Sequence, residues 1–144
     1  MLVISSFFKL KIMKGYTQNI EQLTLENTDF RKVLYTAKHM QLVLMSLKAG
    51  EEIGEEIHAE NDQFFRFEKG CGTCIIDGNK TDVKDGDAIV VPAGSTHNII
   101  NSGNEVDLKM YTIYSPPHHQ DGIIRKTKAI AEAVHESYDG VTTE

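Results

Sequence analysis

Turn signals recur along this chain at short, even intervals, and only a stack of short strands accommodates that rhythm. Gly50, Gly54, Asn61-Asp62, Lys69-Gly70, Asp77-Gly78, Asp85-Gly86, Pro92-Ala93-Gly94 and Ser102-Gly103 punctuate its middle. Between them lie runs rich in β-branched and aromatic residues: Gln41–Leu47, Gln63–Glu68, Thr73–Ile76, Ala88–Val91, Thr96–Ile100 and Val106–Tyr114. Short strands at this spacing predict an all-β sandwich or barrel. The Asp77-Gly78 pair predicts a tight hairpin, because both central positions of such a turn favour positive φ. At 144 residues the chain suffices for one domain around a single core.

Strand parity assigns faces. Gln63, Phe65 and Phe67 share one side of a strand, while Phe64 and Arg66 take the other. Glu56 and His58 share a face that Ile57 opposes. The pattern predicts an interior carrying Glu56, His58, Gln63, Phe65 and Phe67 together. That is a mostly apolar cavity with a few convergent polar groups, the usual build of a small-molecule site. Arg66 is expected in a salt bridge or subunit contact, and Tyr111 in packing.

Two stretches carry a spaced signature. Gly86 to Asn101 reads GDAIVVPAGSTHNIIN, or G-x5-P-x-G-x2-H-x3-N. Gly50 to Gly70 reads GEEIGEEIHAENDQFFRFEKG, with Glu56, His58 and Gln63 between the glycines. Together they resemble the two motifs of the cupin superfamily, in its small single-domain form, over roughly residues 42–114. The second motif matches at every position. The first keeps its spacing but has Glu56 where the family has a histidine, and Gln63 where it has a glutamate.

The resemblance implies a cupin-type double-stranded β-helix, a jelly-roll barrel, over residues 15–120. Residues 1–14 then form an N-terminal extension or edge strand, and 121–144 a C-terminal helix and tail. The helix is expected at Lys126–Ser137, where helix formers are dense, with Ile130, Ala133 and Val134 on one side. The family further implies one divalent metal ion per chain, a small-molecule ligand in the barrel, and a homodimer.

Residue types point the same way. Glu56 and His58, two apart on a strand, project together, and the Pro92-Ala93-Gly94 turn can bring His97 back against them. Imidazole suits iron, zinc and nickel, and carboxylate oxygen suits manganese. Two histidines and one carboxylate with open positions form the facial triad of non-haem iron oxygenases. Gln63 is expected as a weak neutral oxygen ligand or as a group that orients water. The metal set is therefore Glu56, His58, Gln63 and His97. It suits a metal-dependent enzyme of dioxygenase or isomerase type, with Glu60 or Asp62 as base in the second case. The alternative is a non-catalytic metal- or small-molecule-binding module. A metal-free epimerase relying on a histidine and a tyrosine ranks behind both, since these histidines occupy metal-motif positions.

A formal charge of -6 argues against a nucleic-acid partner, which would need a basic stripe. No apolar run approaches the ~20 residues that span a bilayer. The opening MLVISSFFKLKIMK places its lysines after the apolar patch and shows no cleavage site, unlike a signal peptide. It reads instead as an edge strand, a strand exchanged between subunits, or an extension upstream of a start at Met13. Cys71 and Cys74 lie three apart on a strand, where side chains point opposite ways. They read as ordinary cysteines of a reduced, cytoplasmic protein. His118 and His119 follow two prolines outside both motifs, so an exposed loop is expected, with a lip over the barrel mouth as the alternative.

Overall fold

A computed structural model describes residues 14–103 and 105–144. The N-terminal segment discussed above lies outside the described residues, apart from Lys14. Helix α1 (Ile20–Glu26) opens the described chain, capped by Asn19, whose Oδ1 accepts from Gln22 N at 3.0 Å. The strands follow as β1 (Arg31–Thr36), β2 (Gln41–Leu47), β3 (Glu56–Ile57), β4 (Asp62–Lys69) and β5 (Cys71–Ile76). Then come β6 (Asn79–Lys84), β7 (Ala88–Val91), β8 (Thr96–Ile100), β9 (Leu108–Ser115) and β10 (Ile124–Arg125), before helix α2 (Lys128–Ala133).

The strands form two antiparallel sheets, one of six strands in the order β10-β1-β2-β9-β4-β7 and one of four in the order β3-β8-β5-β6. Alternation along each strand sends one set of side chains between the sheets. Val43, Leu47, Phe65, Phe67, Ile99, Leu108 and Met110 are wholly buried there. This is the all-β architecture that the turn rhythm predicts, in the jelly-roll form that the resemblance implies. All six expected runs are strands, with ends displaced by at most two residues. The Asp77-Gly78 hairpin joins β5 to β6 with φ of 48° and 81° at its two residues.

Two parts differ from expectation. The C-terminal helix covers only Lys128–Ala133, and Ala131 is its buried residue, while Ile130 and Val134 are 45% and 48% exposed. The backbone turns extended at Val134, which lets Glu136 reach Arg125 at 3.0 Å. A buried ion pair outweighs local helix propensity, a weak preference. Phe65 and Phe67 face inward as expected, yet they fill the core and line no part of the cavity at the clustered histidines.

Candidate metal centre

Strand β3 lies against β8, and Glu56 stands directly opposite His97 in that pairing. His58 follows Glu56 by two residues on the same face, while Ile57 points out and is 61% exposed. The ligand atoms of Glu56, His58 and His97 therefore lie within 4.8 Å of one another. Glu56 Oε2 is 3.1 Å from His58 Nε2 and 3.9 Å from His97 Nε2. Donors about 2.0–2.2 Å from one ion stand roughly 3–3.6 Å apart, so the cluster is close to a coordination shell.

The donor chemistry fits a cation. His97 Nδ1 faces the Ser95 carbonyl at 3.3 Å, and a carbonyl only accepts. The proton therefore sits on Nδ1 and leaves the Nε2 lone pair free, as a metal-ligating histidine requires. That Nε2 is buried with no hydrogen-bond partner among the described residues. Burial, with His58 beside it, pushes His97 below the ordinary histidine range, against the opposing pull of Ser95 and Glu56. Burial works to raise the Glu56 carboxyl. The hydrogen bond to His58 and the charges of His58, Arg31 and His97 outweigh it and hold the pKa low. An ionised carboxylate beside a neutral imidazole is the state that binds metal.

Gln63 sits on the opposing sheet, where its partners are Val91 of β7 and Tyr114 of β9. Its Nε2 donates to Thr112 Oγ1 at 2.9 Å, and its Oε1 is buried without a partner. Two orphaned acceptors inside one barrel, His97 Nε2 and Gln63 Oε1, are unusual, since buried polar atoms are nearly always bonded. Neither Glu60 nor Asp62 lines the cavity, and Asp62 Oδ1 is engaged by Ala93 N at 2.9 Å.

His118 and His119 are not on an exposed loop. Asn61 Nδ2 donates to the Pro116 carbonyl, and the amide of Gln41 grips the next two residues. Gln41 Oε1 accepts from His118 N at 3.2 Å and His119 N at 2.9 Å, while Nε2 donates to His119 O at 2.7 Å. Adjacent side chains diverge, as extended geometry demands. His118 lies over His58, with ring centroids 4.3 Å apart, and stacks on Tyr114 at 5.2 Å. His119 points inward and is buried, with Nε2 3.3 Å from the Tyr114 hydroxyl and Nδ1 3.4 Å from Glu136 Oε1. Burial, then His58, lowers His118 to about 4. Burial, then Arg31, depresses His119 much further. Burial holds the Tyr114 phenol far above its usual range, so its hydroxyl keeps its proton.

A cavity of about 170 Å³, walled by Arg31, Glu56, His118, His119 and Glu136 with Ala131 of α2, shares Glu56 with the cluster, while His58 and His97 do not line it. A larger open hollow of about 610 Å³ lies across β5, β6 and β7 and contains none of the clustered donors. The sequence places Arg31, Gln41 and Glu136 nowhere near the site, and His118 and His119 there only in the alternative of a lip over the barrel mouth. For Arg31 a signal existed, because it shares a strand face with the apolar Val33.

A model of the cupin domain matches residues 43–114, which include both motifs and the whole donor cluster. The chain belongs to the cupin family. This cupin is 46% identical over 129 residues to the protein YrkC of Bacillus subtilis, covering 85% of the chain and 69% of that relative. It is 50% identical over 113 residues to a protein of Acanthamoeba polyphaga mimivirus, covering 76% of the chain and 70% of the viral protein. Among solved structures, BH2720 from Bacillus halodurans superposes with a TM-score of 0.82 at 43% identity, across 84% of the cupin and 96% of BH2720. No helix among the described residues is long and apolar enough to cross a membrane.

Proposed function

We propose that this cupin is a metal-dependent enzyme of dioxygenase or isomerase type, acting on a small molecule held beside Glu56, His58 and His97. Gln63 Oε1 is the fourth donor in this reading. The observation that carries it is the buried, unpartnered Nε2 of His97, fixed in its open tautomer by Ser95 and facing an ionised Glu56 at 3.9 Å. A divalent ion bound there, whether iron, manganese, zinc or nickel, supplies Lewis acidity or a site for oxygen. The chain's own residues do the rest. Gln41 holds His118 over His58, Tyr114 keeps a proton at its hydroxyl, and α2 with the tail walls the cavity.

The domain division at residues 15–120 and 121–144 belongs to the same proposal, with the tail forming one wall of the site. So does a homodimer, read from the mass in solution. Free thiols at both Cys71 and Cys74 agree with a reducing, cytoplasmic setting.

The test is elemental analysis of natively purified protein, followed by stripping and separate reloading with each ion. His97→Ala is expected to abolish metal content, whereas Gln63→Ala weakens it about tenfold, as a neutral oxygen donor should. Metal affinity should also fall on acidification, since the imidazole nitrogens must be free of protons to coordinate. Turnover that persists unchanged in metal-free protein would overturn the enzyme reading. A ligand that binds tightly and is never transformed with any ion favours a binding module.

A further inference from the structure

Among the described residues Arg31 is the one guanidinium of the cavity wall; it lies 5.4 Å from the centroid of the Phe30 ring and no carboxylate pairs with it directly. It lies on the inward face of β1 with Val33 and is 8% exposed. Across the β1–β10 pairing its partner is Arg125, which takes Glu136 Oε2 at 3.0 Å for itself. Among the described residues no carboxylate comes within 4.0 Å of Arg31, and its Nε is buried without a hydrogen-bond partner. Residues 1–13 contain no Asp or Glu, so that segment has none to offer. A charge removed from water without a partner is strongly unfavourable, and proteins seldom keep one.

The rest of the wall does not balance it. Glu136 is committed to Arg125, and Glu132 is an exposed rim residue beside Lys128 at 3.7 Å. Glu56 alone faces Arg31 across the cavity, and a divalent ion on Glu56 would leave the cavity two positive charges in excess.

We infer that this cavity binds a small carboxylate, with the Arg31 guanidinium donating to its two oxygens. The fork of donors on arginine matches a carboxylate in bidentate fashion. Size limits the ligand, because a cavity of about 150 Å³ holds benzene, so the 170 Å³ here suits a carboxylate of two to four carbons. Phosphate, which an arginine fork also accepts, is the competing ligand chemistry, and the experiment separates the two. The inference deepens the metal reading by naming the substrate class of that site. It rests on that reading only for the excess charge; the unpartnered Arg31 stands without it.

The experiment is calorimetric titration of wild-type protein, metal-loaded and metal-stripped, with acetate, pyruvate and oxalate, and with acetamide, pyruvamide and oxamide as neutral counterparts. At least one carboxylate is expected to bind tenfold or more tightly than its own amide. Arg31→Gln should erase that ratio with metal content unchanged, and Arg31→Lys, which keeps the charge but not the fork, should retain part of it. The inference fails if every carboxylate and its amide bind wild-type protein alike, if orthophosphate binds more tightly than all three acids, or if Arg31→Gln leaves the ratio intact. Should Arg31→Gln not fold, the wild-type ratio and the lysine variant decide. The two readings fail separately. A ratio that survives in protein unable to take up any metal removes the metal reading alone, and a ratio of one in fully loaded protein removes the carboxylate site alone.

Discussion

Gln41 of β2 organises the histidine roof through one buried amide. Its four hydrogen bonds reach Thr36 Oγ1, the N–H groups of His118 and His119, and the His119 carbonyl, the last three 77 and 78 residues away in sequence. Gln41→Ala would strand two N–H groups and a carbonyl in the interior. Stability by urea denaturation should fall by roughly 2–4 kcal/mol, since each abandoned buried group costs about 1–3. A loss below ~0.5 kcal/mol would mean that water replaces the amide at no cost. No spacing rule marks such a residue, for Gln41 merely begins an apolar strand. His118 and His119 were equally hidden, because their placement depends on that long-range clamp. Glu56, His58 and His97 were legible since strand parity and a turn suffice to join them. Asn101 was legible as a motif position but not as what it is, a clamp donating to the carbonyls of Leu47 and Val106 at 3.0 and 2.9 Å.

Among elements, those set by local chemistry were readable and those set by distant contacts were not. The β5–β6 hairpin follows from Asp77-Gly78, although β6 itself buries only Val83 and carries no apolar alternation. Strand β1 and the two-residue β10 exist because each completes the other's hydrogen bonds beside β2. Turn glycines also differ in what they do. Gly78 has φ of 81° and open space where a Cβ would stand. Gly70 has φ of 89°, and a Cβ there would meet the Asp107 carbonyl oxygen at 2.7 Å and Leu108 Cα at 3.2 Å. Gly78→Ala should therefore cost only the left-handed strain of about 1–2 kcal/mol. Gly70→Ala adds a clash with backbone that cannot swing aside, and about 3 kcal/mol or more is expected. Equal urea midpoints for the two variants would show that the β4–β5 turn has room the structure denies it.

At the scale of the whole molecule, the tail locks a neutral histidine inside the closed barrel. Tyr138 N donates to the His118 carbonyl at 2.9 Å, and Thr143 exchanges hydrogen bonds with the Thr36 backbone at 2.8 and 2.9 Å. Glu136 stands beside His119, but Arg125 already neutralises it, so burial and the charges of Arg31 and Arg125 keep the imidazole uncharged. The unfolded chain has no such constraint and binds a proton near pH 6.5. Below that pH the unfolded state holds more protons than the folded one, so stability rises with pH there. The contribution of His119 is fully present above about pH 6.5 and is lost progressively as pH falls toward the depressed folded value. Between pH 7 and pH 5 the loss from this one residue is roughly 2 kcal/mol, at about 1.4 kcal/mol per pH unit below 6.5. Urea midpoints across that range should fall on acidification, and His119→Gln should flatten the slope by about one proton. A slope that His119→Gln leaves unchanged would mean that the imidazole takes up a proton in the folded protein, with Glu136 rather than Arg125 and Arg31 governing its charge.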